Sequence, residues 1–264
     1  MGLSPGRTPG VGELLVTETE RYRNLVDDLL SATLEKRPDV IEMFSYYRSL
    51  SPSRLNERRF FTEVCWIGYS SGFRYDIVRK YWPKIREALY DFDVYQVAAD
   101  AIEIHDAEER ICEVSGFRNR SKASWCVVNA KRITDLEEDW KGIGGIKGFF
   151  ERLARDSLVN QVRSAPTTVQ ELDLKGIGGT TIFHLMKNVG VDVFKPDIHV
   201  RRLLTRMGLV SSETAPIEQV CRAMIFLSEA SGYRVTQIDT ILFAYGIGVG
   251  DFLPSQRPRA RSSK

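Results

Sequence analysis

The sequence lacks any run of about 18 apolar residues, so no membrane-spanning helix is expected. Cysteine is scarce. Cys65, Cys112, Cys126 and Cys221 lie 47, 14 and 95 residues apart, with no CxxC pair. That spacing excludes a disulfide scaffold and reads as buried free thiols in a reducing compartment. Charge of one sign is missing as well, since 37 Lys/Arg against 35 Asp/Glu leave a net charge of +2. With 43% hydrophobic residues, wholesale disorder is excluded. Convincing strand alternation is absent. Met1 to Val11 contains Gly and Pro but no apolar run behind a basic region, so it reads as a mobile arm and not as a signal peptide.

What is present is helical periodicity nearly throughout. Apolar residues recur at helix-like spacing in Glu13–Leu34, Val40–Leu50, Asn56–Ser70 and Tyr75–Leu89, where Pro83 marks a boundary or kink. The pattern continues through Val94–Ala101, Ala107–Ser115, Arg120–Glu138, Ile146–Ser157, Val169–Leu172, Thr180–Asn188, Ile198–Met207, Pro216–Ser231 and Thr236–Tyr245. The expected fold class is all-α. A length of 264 residues fits one large domain or two small ones. Residues 252–264 read as a basic disordered tail. Charge is patchy: residues 117–132 hold Arg118, Arg120, Lys122, Lys131 and Arg132 with no acid. Such a patch suits either phosphate contacts or a solvated helix face.

Lys-Gly-Ile-Gly-Gly occurs twice, at Lys141–Gly145 and Lys175–Gly179. In the second copy a short helix ends before the glycines and another begins at Thr180. Gly176 and Gly178 permit positive φ and close approach, and Ile177 can pin the turn to a core. The amides of Gly178, Gly179 and Thr180 would then point outward at a helix N-terminus, where unpaired donors suit a phosphate. The pattern fits a helix-hairpin-helix gripping one DNA backbone, or a tight interhelical turn with no ligand. The first copy follows Glu137, Glu138 and Asp139, whose charge would repel a phosphate. Asp197, after Pro196, opens a helix and by itself reads as an N-cap.

Taken together, the L-x-G-I-G hairpin and Pro196-Asp197-Ile198-His199-Val200-Arg201-Arg202-Leu203 closely resemble the HhH-GPD superfamily of DNA glycosylases, over about 40 residues (Leu172 to Val210). Scattered positions over about 75 upstream residues resemble 3-methyladenine DNA glycosylase I. They are Glu63–Phe73, Phe92-Asp93, Val97-Ala98, Arg118–Lys122 and Asn129–Lys131. The resemblance implies two helical subdomains flanking a DNA-binding cleft. One comprises 13–55 plus 190–251 and carries a catalytic Asp197; the other is 56–189, ending in the helix-hairpin-helix, with a flexible arm at 1–12. It implies a DNA N-glycosylase acting on a base flipped from duplex DNA, with DNA contacts from Lys175, Gly176, Gly178, Gly179, Thr180, Arg118, Arg120, Lys122 and Arg201.

Tyr69 and Ser70 fall at the bend where family members fill the gap left by the flipped base, though a core or turn role suits Tyr69 as well. Trp66 and Trp125 could stack a flipped base or serve as core. Bifunctional members carry a lysine where this chain has Thr180, so water is the expected nucleophile, giving a monofunctional enzyme. Lys175 and Lys187 keep the bifunctional lyase alternative open, and a non-catalytic DNA-binding module is a further one. Endonuclease III-like members end in clustered cysteines that bind an iron–sulfur cluster. None follow Tyr245-Gly246 here, and His105, His184 and His199 lie close to no cysteine. Neither an iron–sulfur cluster nor zinc is therefore expected. The upstream family uses a glutamate where this chain has Ile67. The expected partner is duplex DNA, bound by a monomer wherever the DNA is: cytoplasm and nucleoid, or nucleus.

Overall fold

Among the described residues the chain is helical wherever it is regular. A computed structural model describes the backbone of residues 11–249 and the side chains of residues 18–249. The residues up to Arg48 and those from Pro196 onward form one unit, and Ser49–Lys195 form another. Residues 49–55 and 190–195, read from sequence with the terminal part, thus cluster with the middle segment. The helices in chain order are α1 (Val11–Lys36), α2 (Val40–Ser49), α3 (Glu57–Ser70), α4 (Tyr75–Ala88), α5 (Val94–Ala99), α6 (Ile104–Ser115) and α7 (Arg120–Asp139). There follow α8 (Gly145–Arg155), α9 (Leu158–Arg163), α10 (Ala165–Leu172), α11 (Thr181–Asn188), α12 (Ile198–Arg206), α13 (Ile217–Ser231) and α14 (Val235–Gly248). Short 3₁₀ turns join several of them, and no strand occurs among the described residues. The expected arm at 1–12 and tail at 252–264 lie outside the described residues, except that α1 takes in Val11 and Gly12.

Two expectations need correction. Helix α4 runs unbroken through Pro83. Pro83 is exposed, so its ring meets solvent instead of a packed neighbour, and what it costs is the one hydrogen bond its missing N–H would have made to the Arg79 carbonyl. The stretch between α8 and α10 holds a helix the periodicity did not reveal, α9. Only six residues long, it starts where the Ser157 side chain accepts the Asn160 amide.

In the terminal unit α14 is the central element. Ile238, Ile241, Leu242 and Tyr245 are fully buried, as are the polar Thr236, Gln237 and Asp239. A helix apolar on all sides must be wrapped by others, and α1, α12 and α13 pack against it. Each fully buried aliphatic side chain there contributes about 1.5–3 kcal/mol. Long-range hydrogen bonds tie the wrap together. The Tyr22 hydroxyl donates to the Met207 carbonyl at 2.9 Å, Arg23 Nε to Ala230 at 2.9 Å, and Gln237 Nε2 to Phe44 at 3.2 Å.

In the middle unit the 20-residue α7 is the spine. It buries Ala123, Val127, Ala130, Ile133 and Leu136 at helical spacing, against α3, α5, α6 and α8. Its N-terminus is closed by Asn119, whose side chain accepts the Lys122 amide at 3.1 Å.

Candidate DNA-binding and catalytic elements

The hairpin is built from α10, the turn 173–180 and α11. Helix α10 ends at Asp173 in the left-handed conformation, φ 45°, with its amide bonded to the Val169 carbonyl. Ile177 is buried and its amide closes onto the Leu174 carbonyl at 3.2 Å, which tightens the turn. Gly176 has φ +80°. Three side chains of α7 hold this turn from beneath. A Cβ at Gly176 would lie 2.8 Å from Trp125 Cε3, so the indole packs directly on the glycine. Asn129 clamps Lys175 at both backbone polar groups: its Nδ2 donates to the Lys175 carbonyl at 2.9 Å and its Oδ1 accepts the Lys175 amide at 2.7 Å. Arg132 donates from Nε to the Leu172 carbonyl at 3.1 Å and from Nη2 to the Glu171 carbonyl at 2.8 Å. Positions 125, 129 and 132 share one helix face by the i, i+4, i+7 rule. From sequence, Asn129 stands only among the positions that resemble the upstream family, and Trp125 is open between stacking on a flipped base and core; the structure sets both against the hairpin. The periodic polar–aromatic face was the signal that could have revealed their supporting role.

The outward side of the hairpin is more selective than expected. The Gly178 amide does not point at solvent; it donates to Thr181 Oγ1 at 2.7 Å. Gly179 and Thr180 are exposed at the start of α11, and a Cβ at Gly178 or Gly179 would meet nothing within 4 Å. Both residues stand at the N-terminus of α11, where first-turn amides lack intrahelical acceptors.

The other Lys-Gly-Ile-Gly-Gly copy is chemically different. It leads into α8, and there the Glu137 carboxylate accepts the Ile146 amide at 3.0 Å. The chain's own carboxylate takes the place a phosphate would need. Burial, opposed in part by that amide, holds Glu137 above the usual carboxylate range.

Asp197 is the N-cap of α12. It has extended backbone, φ −83° and ψ 175°, and its Oδ1 accepts the Val200 amide at 3.1 Å. It is half-buried. Helix α12 is seated on α14 at a small residue: a Cβ at Gly246 would lie 2.9 Å from His199 Cβ, and the His199 ring meets Phe243 edge-on at 6.0 Å. His199 thus anchors the helix that carries the carboxylate. Arg201, expected on DNA, is a clamp: Nε donates to the Pro196 carbonyl at 3.3 Å, and Nη1 to the Glu213 and Ala215 carbonyls at 3.2 and 2.8 Å. It fixes the backbone at the start of α12, and with it Asp197. Arg202 pairs with Glu213 at 3.3 Å.

The basic patch at 117–132 divides by burial. Arg118 and Arg120 are exposed, with Arg120 3.7 Å from Glu109, and Lys131 pairs with Asp135. Lys122, expected on a phosphate, is instead 5% exposed and donates from Nζ to the carbonyls of Gly68 and, at 2.8 Å, Ser71. Tyr69 is 1% exposed, edge-packed on Trp82 and Phe117 at 6.4 and 5.3 Å, so it is core and does not stand out as a gap-filling side chain. Burial pushes both its phenol and the neighbouring Cys65 thiol up, which keeps them neutral. The Tyr69 hydroxyl and the buried Ser70 Oγ have no hydrogen-bond partner among the described residues. Trp66 is half-buried against Tyr75 and Trp82. Ile67 is buried in α3. All four cysteines are buried thiols outside any disulfide. No group of three or more metal-binding side chains occurs among the described residues, and no described helix is long and apolar enough to cross a membrane.

His184 lies one turn into α11. Burial, then the charges of Lys187 and Lys195, push its pKa down to about 3. An unfolded histidine titrates near 6.5. The unfolded chain therefore binds the extra proton between pH 6.5 and 3, and the stability His184 contributes is present above 6.5 and lost as pH falls through that window. The slope is at most about 1.4 kcal/mol per pH unit. We expect urea midpoints to fall from pH 7 to pH 4, and His184→Gln to flatten that fall; an unchanged profile in the variant would place the acid sensitivity elsewhere.

Comparison with curated proteins and with solved structures returned no match. A family model does match: that of the methyladenine glycosylases, over residues 50–213, more than half of the chain. The matched span takes in the hairpin, its α7 support and Asp197 on α12, while α1, α2, α13 and α14 lie outside it. The chain belongs to the methyladenine glycosylase family, and it is a DNA N-glycosylase, a hydrolase of N-glycosyl bonds.

Proposed function

We propose that the protein is a monofunctional glycosylase that hydrolyses the bond between deoxyribose and a damaged or modified base flipped from duplex DNA, leaving an abasic site. The observation that carries this reading is Asp197: a carboxylate fixed by the Val200 amide through one oxygen, on a helix clamped by Arg201. A carboxylate accepts at two atoms, so capping α12 and acting in the chemistry are compatible roles for Asp197. Departure of the base develops oxocarbenium character at C1′. A held carboxylate stabilises that charge and orients or deprotonates the attacking water. Arg201 and His199 position α12. The hairpin, through Gly179 and Thr180, holds a phosphate without reading bases. Thr180 occupies the place where a lysine would make the enzyme a lyase; its hydroxyl cannot form a Schiff base. The chemistry needs no cofactor: water and a carboxylate suffice. A monomer is enough, since one chain supplies the grip and the carboxylate.

The test uses labelled duplexes, each bearing one alkylated, oxidised, deaminated or hypermodified base. Strand cleavage only after alkali or heat is expected. Cleavage without alkali, with covalent trapping by borohydride, would establish the lyase instead. Binding without release of any base would make the protein a DNA-binding module.

A further inference from the structure

Lys122 combines unusual features for a residue in a basic patch. Its ammonium lies in the interior of the middle unit, bonded to the carbonyls of Gly68 and Ser71 at the C-terminus of α3. Two aromatic faces roof it: Phe73 at 5.2 Å and Trp125 at 5.1 Å from Nζ to ring centre. Charge-assisted bonds to carbonyls and cation–π contacts are strongest where water is excluded. Trp125 is the same indole on which Gly176 of the hairpin rests, and it also borders Gly68, whose Cβ position is 4.0 Å from Cε3. One cation and one indole therefore join two loops about 100 residues apart in sequence. The joined turn displays aromatic surface: Phe73 is 39% exposed and Tyr75 54%. Exposed rings beside a phosphate grip suit stacking with an unstacked base or its gap.

We propose that Lys122 is a positioning residue that locks the turn Gly68–Tyr75 to the hairpin, so that the aromatic side chains of the turn meet an unstacked position in duplex DNA at a fixed offset from the gripped phosphate. This rests on the reading of the hairpin as a phosphate grip. Lys122 itself touches no DNA. Its neutral replacement leaves the hairpin standing, because Asn129 and Arg132 hold that independently. It frees the turn, because the Gly68 and Ser71 carbonyls lose their shared donor.

The experiment compares binding to an undamaged duplex and to the same duplex with one tetrahydrofuran abasic-site analogue, for the native protein, Lys122→Met and Phe73→Ala. The native protein is expected to prefer the analogue duplex. Lys122→Met is expected to lose about tenfold of that preference while its affinity for the undamaged duplex changes less than twofold. Phe73→Ala, at a partly exposed position, removes one ring without a core cavity and should move the preference in the same direction. Retention of the preference in both variants, a parallel loss on both duplexes, or no preference in the native protein overturns the proposal. Base release on the damaged-duplex panel is read separately, so a failed glycosylase reading and a failed positioning role give different results.

Discussion

Asp197→Asn is expected to lower single-turnover base release by at least about a thousandfold on whichever damaged duplex the native protein processes, while DNA affinity stays within a few-fold. The size follows from the charge that is lost. Removing one preorganised group that meets developing charge typically costs 10²–10³ in rate, and this substitution also removes the base that can take a proton from water. The substitution is otherwise conservative. Asparagine caps helices as well as aspartate, so its side-chain oxygen can still accept the Val200 amide that Asp197 accepts at 3.1 Å. Melting temperature should therefore be unchanged. Asp197→Ala separates the two roles, since it should lose activity to the same extent and, in addition, about 1 kcal/mol of stability from the missing cap. Native-like turnover in Asp197→Asn would sink the catalytic assignment. A large drop in melting temperature in the same variant would mean that the negative charge itself stabilises the fold, and lost turnover there would then not assign a catalytic role.

The parts of this protein that were legible in its sequence are those set by local chemistry. Amphipathic spacing marks α3, α7 and α13 because burial of one face imposes a 3.6-residue period. The hairpin was visible because a positive φ at a tight turn selects glycine, as at Gly176. Asp197 was visible because an N-cap has its own residue preference. The misread positions depend on partners far away in the chain. Lys122 and Arg201 announce a positive charge, and nothing nearby in sequence says that their partners are carbonyls: Gly68 and Ser71 for one, Glu213 and Ala215 for the other. Tyr69 looked available at a bend because its burial comes from Trp82 and Phe117, on other segments. The two identical pentapeptides make the same point at close range. One turn is closed by a carboxylate from the preceding helix, Glu137, and the other by a hydroxyl from the following one, Thr181. Only the second has no carboxylate of the chain itself on its first helical amides.

That difference makes the hairpin a place where a single added methyl group has a large expected effect. Gly176→Ala is expected to cost about 2–5 kcal/mol of stability and at least tenfold in DNA affinity. Two separate costs add. The residue sits at φ +80°, where an L side chain is disfavoured by roughly 1–2 kcal/mol. The new Cβ would also stand 2.8 and 2.9 Å from Trp125 Cε3 and Cζ3. The indole cannot simply swing away, because its face lies against the Lys122 ammonium, so the turn must open, at an overpacking cost of about 1–3 kcal/mol. An opened turn displaces the amides of Gly179 and Thr180 from the phosphate. Gly179→Ala is the control. It has no positive φ and its Cβ would meet nothing within 4 Å, so stability should hold. Its methyl would nonetheless occupy the space through which a phosphate reaches the amides, and affinity should fall several-fold. In both variants log affinity against log salt should shift in parallel with the native line, because backbone amides, unlike lysines and arginines, bring no counterion release. Native affinity in both variants would mean that the hairpin is an interhelical turn and the DNA backbone is gripped elsewhere. A flattened salt slope would mean instead that Lys175, and not the amides, makes the contact.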